Sequence, residues 1–267
     1  MTLRERFARR LNDSVSPQCR RSRKLRSRRK QLSPSPSPTQ PYLSYHDILL
    51  TYEDIRALRN DWLTDNNIAF WEEFLEREVL STYPQANIVL LRPSMTFLLM
   101  KNKDTESVRS ALPDFRGITH IFLPINDNRN VNQAEGGSHW SLLLVSIIDG
   151  VAFHYDSLDG ANNNEAWEAS KRLSSVLGTA LRFHYIPDCP QQENSSDCGV
   201  FVCIIMRHLL VKRLLSVNAG EKVSMSMAHK AIDSIGARKE MLKIIDNLRK
   251  EGERRRLTPS NTPPRIE

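Results

Sequence analysis

The chain has 267 residues, 40% of them hydrophobic and 26% charged, with a formal net charge of +7. This length suits one sizeable domain with tails or two small domains, and no run approaches the ~18 apolar residues of a membrane span. Residues 1–30 carry 12 Lys or Arg against Glu5 and Asp13, a local +10, which leaves residues 31–267 at −3; a mildly acidic body argues against nucleic-acid binding by the folded part.

Arg20–Lys30 is a like-charge block, and such blocks stay solvated. Ser33–Pro38 alternates Ser and Pro, which favours extended backbone. Residues 1–40 are therefore expected to be a disordered basic and Ser/Pro-rich tail. It could act as a nuclear import signal, as a patch for nucleic acid or another acidic partner, or as a solvated tail with no partner. Its Ser-Pro pairs could accept phosphate. The basic N-terminus has no apolar stretch behind it, so no secretory signal is expected. The four cysteines form neither a disulfide framework nor a zinc spacing, which points to a reducing intracellular compartment; nucleus and cytoplasm are the expected locations.

The folded domain is expected over 41–251. Leu43–Tyr45 reads as a short strand and Thr51–Ile55 as a capped helical turn. From Asn66 to Val79 the apolar positions Ile68, Trp71, Phe74, Leu75 and Val79 trace one helical face, with Thr64 or Asp65 as the cap. Asn87–Leu91 has strand character. Ser94–Lys101 and Thr105–Leu112 read as short helices, each opened by a hydroxyl cap. Thr119–Asn126 and His139–Ile148 read as strands, joined by the polar loop Asp127–Ser138. Asp149-Gly150 is a two-residue hairpin signal, and Val151–Ser157 is the return strand. The near-continuous apolar character of these strands implies a sheet buried on both faces. Asn164–Leu177 reads as a helix, with Trp167, Leu173, Val176 and Leu177 as core positions and Gly178 as its stop. Leu181–Ile186 is another strand. Val200–Leu215, Ser224–Ile235 and Lys239–Lys250 read as helices. Residues 252–267, rich in Arg, Thr and Pro, are expected to be a second disordered tail.

Chemistry converges on Gln191–Cys203. Asp197 or Ser196 can cap a helix there, which places Cys198 in the first turn. The positive helix end and a neighbouring imidazolium both favour a thiolate over a thiol whose usual pKa is about 8.5. Gly199 leaves room for another backbone near the sulfur. His139 and Asp156 flank the hairpin and come onto neighbouring strands, where a carboxylate can orient an imidazole that takes the thiol proton. Gln192, six residues before Cys198, could donate to an oxyanion. Asp159 is an alternative carboxylate and Gln191 an alternative amide. His154 and His184 are read as structural, and Cys203 as a buried helix cysteine.

Gly137-Ser138-His139-Trp140-Ser141, Tyr155-Asp156-Ser157 and Gln191-Gln192-(x)4-Asp197-Cys198-Gly199 occur in an order that resembles the ubiquitin-like-protein-specific cysteine proteases, the Ulp/sentrin-protease family. Trp62-Leu63-Thr64-Asp65 is similar to that family's lead-in to its first helix. Leu123–Asn128, with the Gly136-Gly137 loop, is most similar to its small deneddylase branch. The nucleophile loop departs from the pattern, with Glu193-Asn194-Ser195-Ser196 where an aromatic commonly precedes Asp-Cys. The resemblance implies an α+β papain-like fold with a central mixed sheet flanked by helices. It implies that Cys198 is the nucleophile, His139 the base, Asp156 its orienter and Gln192 an oxyanion donor. It further implies that Trp62 and Trp140 line a narrow channel for the modifier's Gly-Gly tail and that Asp65, Gly136 and Gly137 belong to the substrate-binding surface, with no metal and no cofactor. The partners implied are a Nedd/Rub-type modifier and its conjugates, cullin-type targets among them, met by a monomer. The rival readings are a SUMO-type modifier protease, a non-catalytic modifier-binding protein, and a nucleic-acid binder acting through residues 1–30.

Overall fold

The computed structural model describes residues 36–130, 136–216, 223–255 and 264–266. The expectations for 1–35, for 131–135 and for 256–263 lie outside the described residues. In chain order the elements are β1 (Pro41–Tyr45), β2 (Ile48–Thr51), α1 (Tyr52–Asn60), α2 (Asp65–Glu78), β3 (Ile88–Leu90), α3 (Pro93–Lys101), α4 (Thr105–Ala111), β4 (His120–Asn126), β5 (Trp140–Ser146), β6 (Val151–Tyr155), α5 (Asn163–Leu177), β7 (Arg182–Tyr185), α6 (Cys198–His208), α7 (Ser234–Arg255) and β8 (Arg265–Ile266).

The uncharged run Trp140–Ser146 explains the architecture. All seven of its side chains are buried, so it needs cover on both faces. It forms the middle of a five-stranded sheet ordered β3-β4-β5-β6-β7. The two inner pairings are antiparallel and the two outer ones parallel. Alternate side chains leave opposite faces. Leu142 and Leu144 join a core built with α2 and α6, including Ile68, Phe70, Val200 and Met206. Leu143 and Val145 join a second core under α3, α4 and α5, including Leu99, Val108, Ala166 and Leu173. Each such buried aliphatic side chain contributes about 2 kcal/mol, so neither face of the strand tolerates charge. Helices on both sides of a mixed sheet make the fold α+β, as expected. Pro124 sits inside β4 without harm, because β3 pairs only as far as Phe122 and the next strand partner of Pro124 is Leu142 on β5.

Several local expectations are corrected. The β5–β6 turn spans four residues, 147–150, and Ser146 pairs with Val151. Ser146 Oγ bonds the Asp149 carboxylate at 2.5 Å and accepts its amide, which stabilises the longer turn over the two-residue one. The helix α3 opens on Pro93 at its first position, with no side-chain cap, and α4 is capped by Asp104. Ser94 and Thr105 therefore lie inside their helices. Trp167 is 50% exposed rather than core, with Lys171 Nζ over its ring at 4.4 Å. Within Ser224–Ile235 only the last two residues are helical. Asp188 accepts the Ser226 hydroxyl and the Met227 amide, and the Met225 carbonyl accepts the Tyr155 hydroxyl. These side-chain bonds compete with a helical ladder and win.

Both ends of the domain reach further than composition suggests. The carbonyls of Pro38 and Gln40 accept the amides of Glu53 and Tyr52 at the start of α1, so residues expected in the tail satisfy that helix end. At the other end α7 runs through Gly252 to Arg255, and β8 pairs in parallel with β1. Ile266 is buried. Residues 252–255 and 264–266 are thus built into the body, contrary to the expected disordered tail. No helix among the described residues is long and apolar enough to cross a membrane.

Candidate active site

The register of β5 and β6 decides whether His139 can meet Asp156. Leu142 pairs with Tyr155, so one step further sets Ser141 beside Asp156, with His139 only two residues along. A two-residue turn would have placed them four apart. In the observed register His139 Nε2 lies 2.7 Å from Asp156 Oδ1. The same oxygen accepts the Leu158 amide at 2.8 Å, and the second oxygen accepts the Asn162 amide at 2.8 Å. Asp156 is fully buried. Burial alone would raise its pKa, but His139 and these two amides outweigh it and hold the carboxyl below its usual range. An ionised Asp156 makes Nε2 the donor, which leaves Nδ1 for the sulfur. Cys198, at the start of α6, also favours the charged form of the His139 imidazole. Burial works against the imidazolium, yet Asp156 and Cys198 together bring it up to about 9.

Cys198 opens α6, as expected, but the cap differs. Asp197 occupies the cap position and makes no cap bond. Its Oδ1 takes Arg238 Nε at 2.9 Å and Nη2 at 2.7 Å, and its Oδ2 takes Asn194 Nδ2 at 2.8 Å. A doubly donated guanidinium bond is stronger than a cap bond to a neutral amide, so the carboxylate turns away and no side chain caps the first turn. Asn194 Oδ1 accepts the amides of Ser196 and Asp197, which shapes the loop where the family pattern has an aromatic. Arg238 and Asp197 are both buried; removing one partner of such a pair costs about 3–5 kcal/mol.

Of the two candidate amides, Gln191 is spent on structure. Its Nε2 donates to the carbonyls of Asp156 and Cys189, and its Oε1 accepts the Asp159 amide. Asp159 lies in a left-handed turn (φ 46°) away from the imidazole's bond. Gln192 accepts the Ser157 hydroxyl at 2.7 Å and donates once to the Asn194 carbonyl at 2.7 Å; it bridges the Asp156 and Cys198 loops and keeps a second N–H. His154 is buried between Asn163 and Ser141 and stays structural, its pKa lowered by burial.

The tail-binding candidates divide. Trp62 is 41% exposed, while Trp140 is 6% exposed and donates Nε1 to the Leu63 carbonyl at 3.2 Å. A Cβ on Gly199 would stand 2.8 Å from Leu63 Cβ and 3.6 Å from Trp140 Cδ1. The space at Gly199 is therefore filled by side chains of this chain, and it brings the Trp62-Leu63 segment, Trp140 and the start of α6 together. Asp65 is the first residue of α2, and Thr64 is the cap. Asp65, Gly136 and Trp140 line a cleft of about 160 Å³ together with Phe97 and Asn128. Gly137 has φ 82°, and a side chain there would strike Asn126 and Asp127. Asp127 in turn accepts the Ser138 amide and hydroxyl and the His139 amide at 3.0 Å. The glycines let this loop close and brace the backbone of His139.

Two residues of this constellation carried no sequence signal. Asn162 lies just before α5, and its side chain holds the His139 carbonyl at 3.2 Å while its amide holds Asp156. Arg238 lies 40 residues beyond Cys198 in a charged helix. Among the described residues no group of three or more His, Cys, Asp or Glu could hold a metal ion.

Comparison with known proteins places this geometry. Residues 61–242 match the Ulp1 protease family, C-terminal catalytic domain. The chain is 37% identical over 215 residues to NEDD8-specific protease 2 of Schizosaccharomyces pombe, covering 79% of this chain and 51% of that protein. It is 38% identical over 186 residues to NEDD8-specific protease 1 of the same organism, covering 68% of this chain and 43% of that protein. It is 33% identical over 165 residues to sentrin-specific protease 8 of Homo sapiens, covering 60% and 76%. The chain thus spans about half the length of the two Schizosaccharomyces pombe relatives. Among solved structures, the C-terminal Ulp1 protease domain in complex with the yeast ortholog of SUMO superposes with a TM-score of 0.57 at 21% identity, over 79% of this chain and 89% of that one, a likeness of fold. With its cysteine at a helix start, its histidine ahead of a central strand and its aspartate at the end of the next, this chain belongs to the Ulp1 protease family.

Proposed function

We propose that the protein is a cysteine isopeptidase that removes a Nedd/Rub-type modifier from target lysines and trims the modifier's precursor after its Gly-Gly. The observation that carries the chemistry is the 2.7 Å contact between His139 Nε2 and the buried carboxylate of Asp156, with Cys198 at the start of α6 helping to raise the pKa of the imidazole. The modifier class is supported by three relatives named as NEDD8-specific or sentrin-specific proteases. His139 takes the Cys198 proton at Nδ1, and the sulfur attacks the carbonyl of the modifier's last glycine. The oxyanion meets Gln192 Nε2 and the backbone N–H groups of the uncapped first turn of α6. The imidazolium then returns its proton to the departing lysine amine, leaving a thioester. Water, deprotonated by His139, cleaves the thioester and releases the free modifier. Trp62, Asp65 and Trp140 flank the tail. Reacting the protein with Nedd/Rub-type, SUMO-type and ubiquitin modifiers that carry electrophilic C-termini tests the reading. The Nedd/Rub-type probe should label Cys198 fastest, and no labelling by any probe would exclude the assignment.

The state of His139 has a consequence for pH. Its pKa rises from 6.5 to about 9 in the folded protein. The stabilisation it supplies is therefore complete below about pH 6.5 and lost as the pH rises through about 9. The acid that protonates the leaving amine disappears in the same range, so kcat/KM should fall on an alkaline limb near pH 9. Asp156→Asn removes the larger of the two raising contacts and should move that limb to lower pH. A limb unmoved in Asp156→Asn would separate the aspartate from the titrating group.

Gln192→Ala should lower kcat by about 10²-fold, the scale for one lost oxyanion donor, with little change in KM. Gln191→Ala, which breaks the contacts to Asp156, Cys189 and Asp159, should show its cost in thermal stability. Equal kcat for the Gln192 variant and the wild type would return the oxyanion to backbone donors alone.

A further inference from the structure

Arg238 is buried 40 residues after the nucleophile, and its guanidinium is saturated with partners. Nη1 donates to the carbonyls of Ala57 and Leu58, both at 3.1 Å. Nη2 donates to the carbonyl of Asp61 at 2.8 Å, the carbonyl of Ser196 at 3.0 Å and Asp197 Oδ1 at 2.7 Å. Nε donates to the same Asp197 oxygen at 2.9 Å. The partners fall into two groups. Ala57, Leu58 and Asp61 are the C-terminal end of α1 and the residue just before exposed Trp62. Ser196 and Asp197 are the two residues just before Cys198.

One planar group therefore ties the end of α1 to the residues that lead into α6. The Ala57 carbonyl also accepts the Asp61 amide at 2.9 Å, whereas the Leu58 and Asp61 carbonyls lie at the end of α1, where a helix leaves its carbonyls without intrahelical partners; a buried cation with fork geometry is suited to collect all three. Trp62 itself is 41% exposed, and its amide is held by Asp61 Oδ1 at 2.8 Å. Its position relative to the sulfur is set on one side by Leu63, which packs on Gly199 and accepts Trp140 Nε1, and on the other by Asp61 and Asp197, both held by Arg238. His139 and Asp156 receive no bond from Arg238.

Resting on the isopeptidase reading above, we propose that Arg238 is a positioning residue that sets the spacing between the Trp62 wall and Cys198, and so the fit of the modifier's glycine tail, without taking part in making the thiolate. Displacements of about 1 Å at a reacting centre cost about 10²-fold in rate. Arg238→Lys keeps a positive charge for Asp197 but cannot reach both groups of carbonyls at once. Its kcat/KM on a modifier fusion, per titrated active site, should fall by about 10²-fold. Alkylation of Cys198 by iodoacetamide, which needs the thiolate and no tail slot, should stay within about twofold of the wild type. Trp62→Ala should lower kcat/KM on its own, and Arg238→Lys should lower it little further in the Trp62→Ala background, since the wall it positions is gone.

The wild type separates this proposal from the function it rests on: a wild type that alkylates but cleaves no modifier fusion refutes the isopeptidase reading itself. Three outcomes overturn the positioning role. They are a folded Arg238→Lys with wild-type kcat/KM, an alkylation rate that falls in step with kcat/KM, and independent, multiplicative losses in the double variant. Failure of Arg238→Lys to fold would make the residue a structural staple and would overturn the proposal too.

Discussion

Cys198→Ser should leave the modifier bound but uncleaved, with turnover reduced on the order of 10⁶-fold, the scale seen when a protease nucleophile is removed. The three described cysteines make this a sharp comparison. Cys189 is pushed up to about 12 by burial and by the charge of Asp156. Cys203 is raised well above its ordinary value by burial, with Glu72 adding to it. Both are thiols at neutral pH and poor nucleophiles. Among them it is Cys198 that favours the charged imidazole of His139. The side chain of Cys203 lies in the core while its carbonyl accepts Trp71 Nε1 at 2.9 Å, so Cys203→Ser should cost stability, roughly 1–3 kcal/mol for a buried hydroxyl, and leave turnover per folded molecule unchanged. Steady-state cleavage of a modifier fusion, set beside binding measured by calorimetry, reads both effects. Cleavage by Cys198→Ser at even a hundredth of the wild-type rate would move the nucleophile elsewhere.

Cleavage of Nedd/Rub-type fusions should exceed that of SUMO-type and ubiquitin fusions by about 10³-fold in kcat/KM, within reach of sites that read polar groups by hydrogen bonding. The glycine slot cannot supply this, because all three modifiers end in Gly-Gly. Discrimination falls to the residues before those glycines and to the modifier's folded surface. The loop 127–138 leads directly into His139 and is well placed to read them. Its charges are less free than they look in the sequence. Asp127 spends its carboxylate on Ser138 and His139, and Arg129 pairs with Glu165 at 3.1 Å. Replacing the whole loop would therefore remove the brace behind the base and lower activity on every modifier. A graft confined to 129–135 from a SUMO-type protease keeps Asp127, Gly136 and Gly137. That graft should narrow the preference while holding kcat on the better substrate. Comparable kcat/KM for the three fusions with the native loop would leave the isopeptidase chemistry and remove the deneddylase assignment.

The side chains of the candidate site could be picked out in the sequence because their chemistry is carried by residue type and by short local context. A cysteine between a polar loop and an apolar helical run lies at a helix start whatever the fold, and strands as apolar as His120–Asn126 and Trp140–Ser146 must lie in the middle of a sheet. Helix and strand periods are local, so most elements were readable to within a few residues. What the tertiary structure decided was the use of polar side chains with several possible partners. Asp197 could cap α6 or pair with Arg238, and only the arrival of α7 beside the nucleophile loop made the pair available. Ser224–Ile235 had helical composition, but Asp188 and Tyr155, distant in sequence, took its polar groups. The register that joins His139 to Asp156 turned on whether Ser146 bonded Asp149, a contact that lengthens the turn by two residues and moves every pair along the hairpin. Asn162, Arg238 and the pairing of Ile266 in β8 beside Tyr45 in β1 depend on partners far away in the chain. Pattern reads local periodicity and residue chemistry; long-range pairing is settled by which buried polar groups find each other when the elements close around one core.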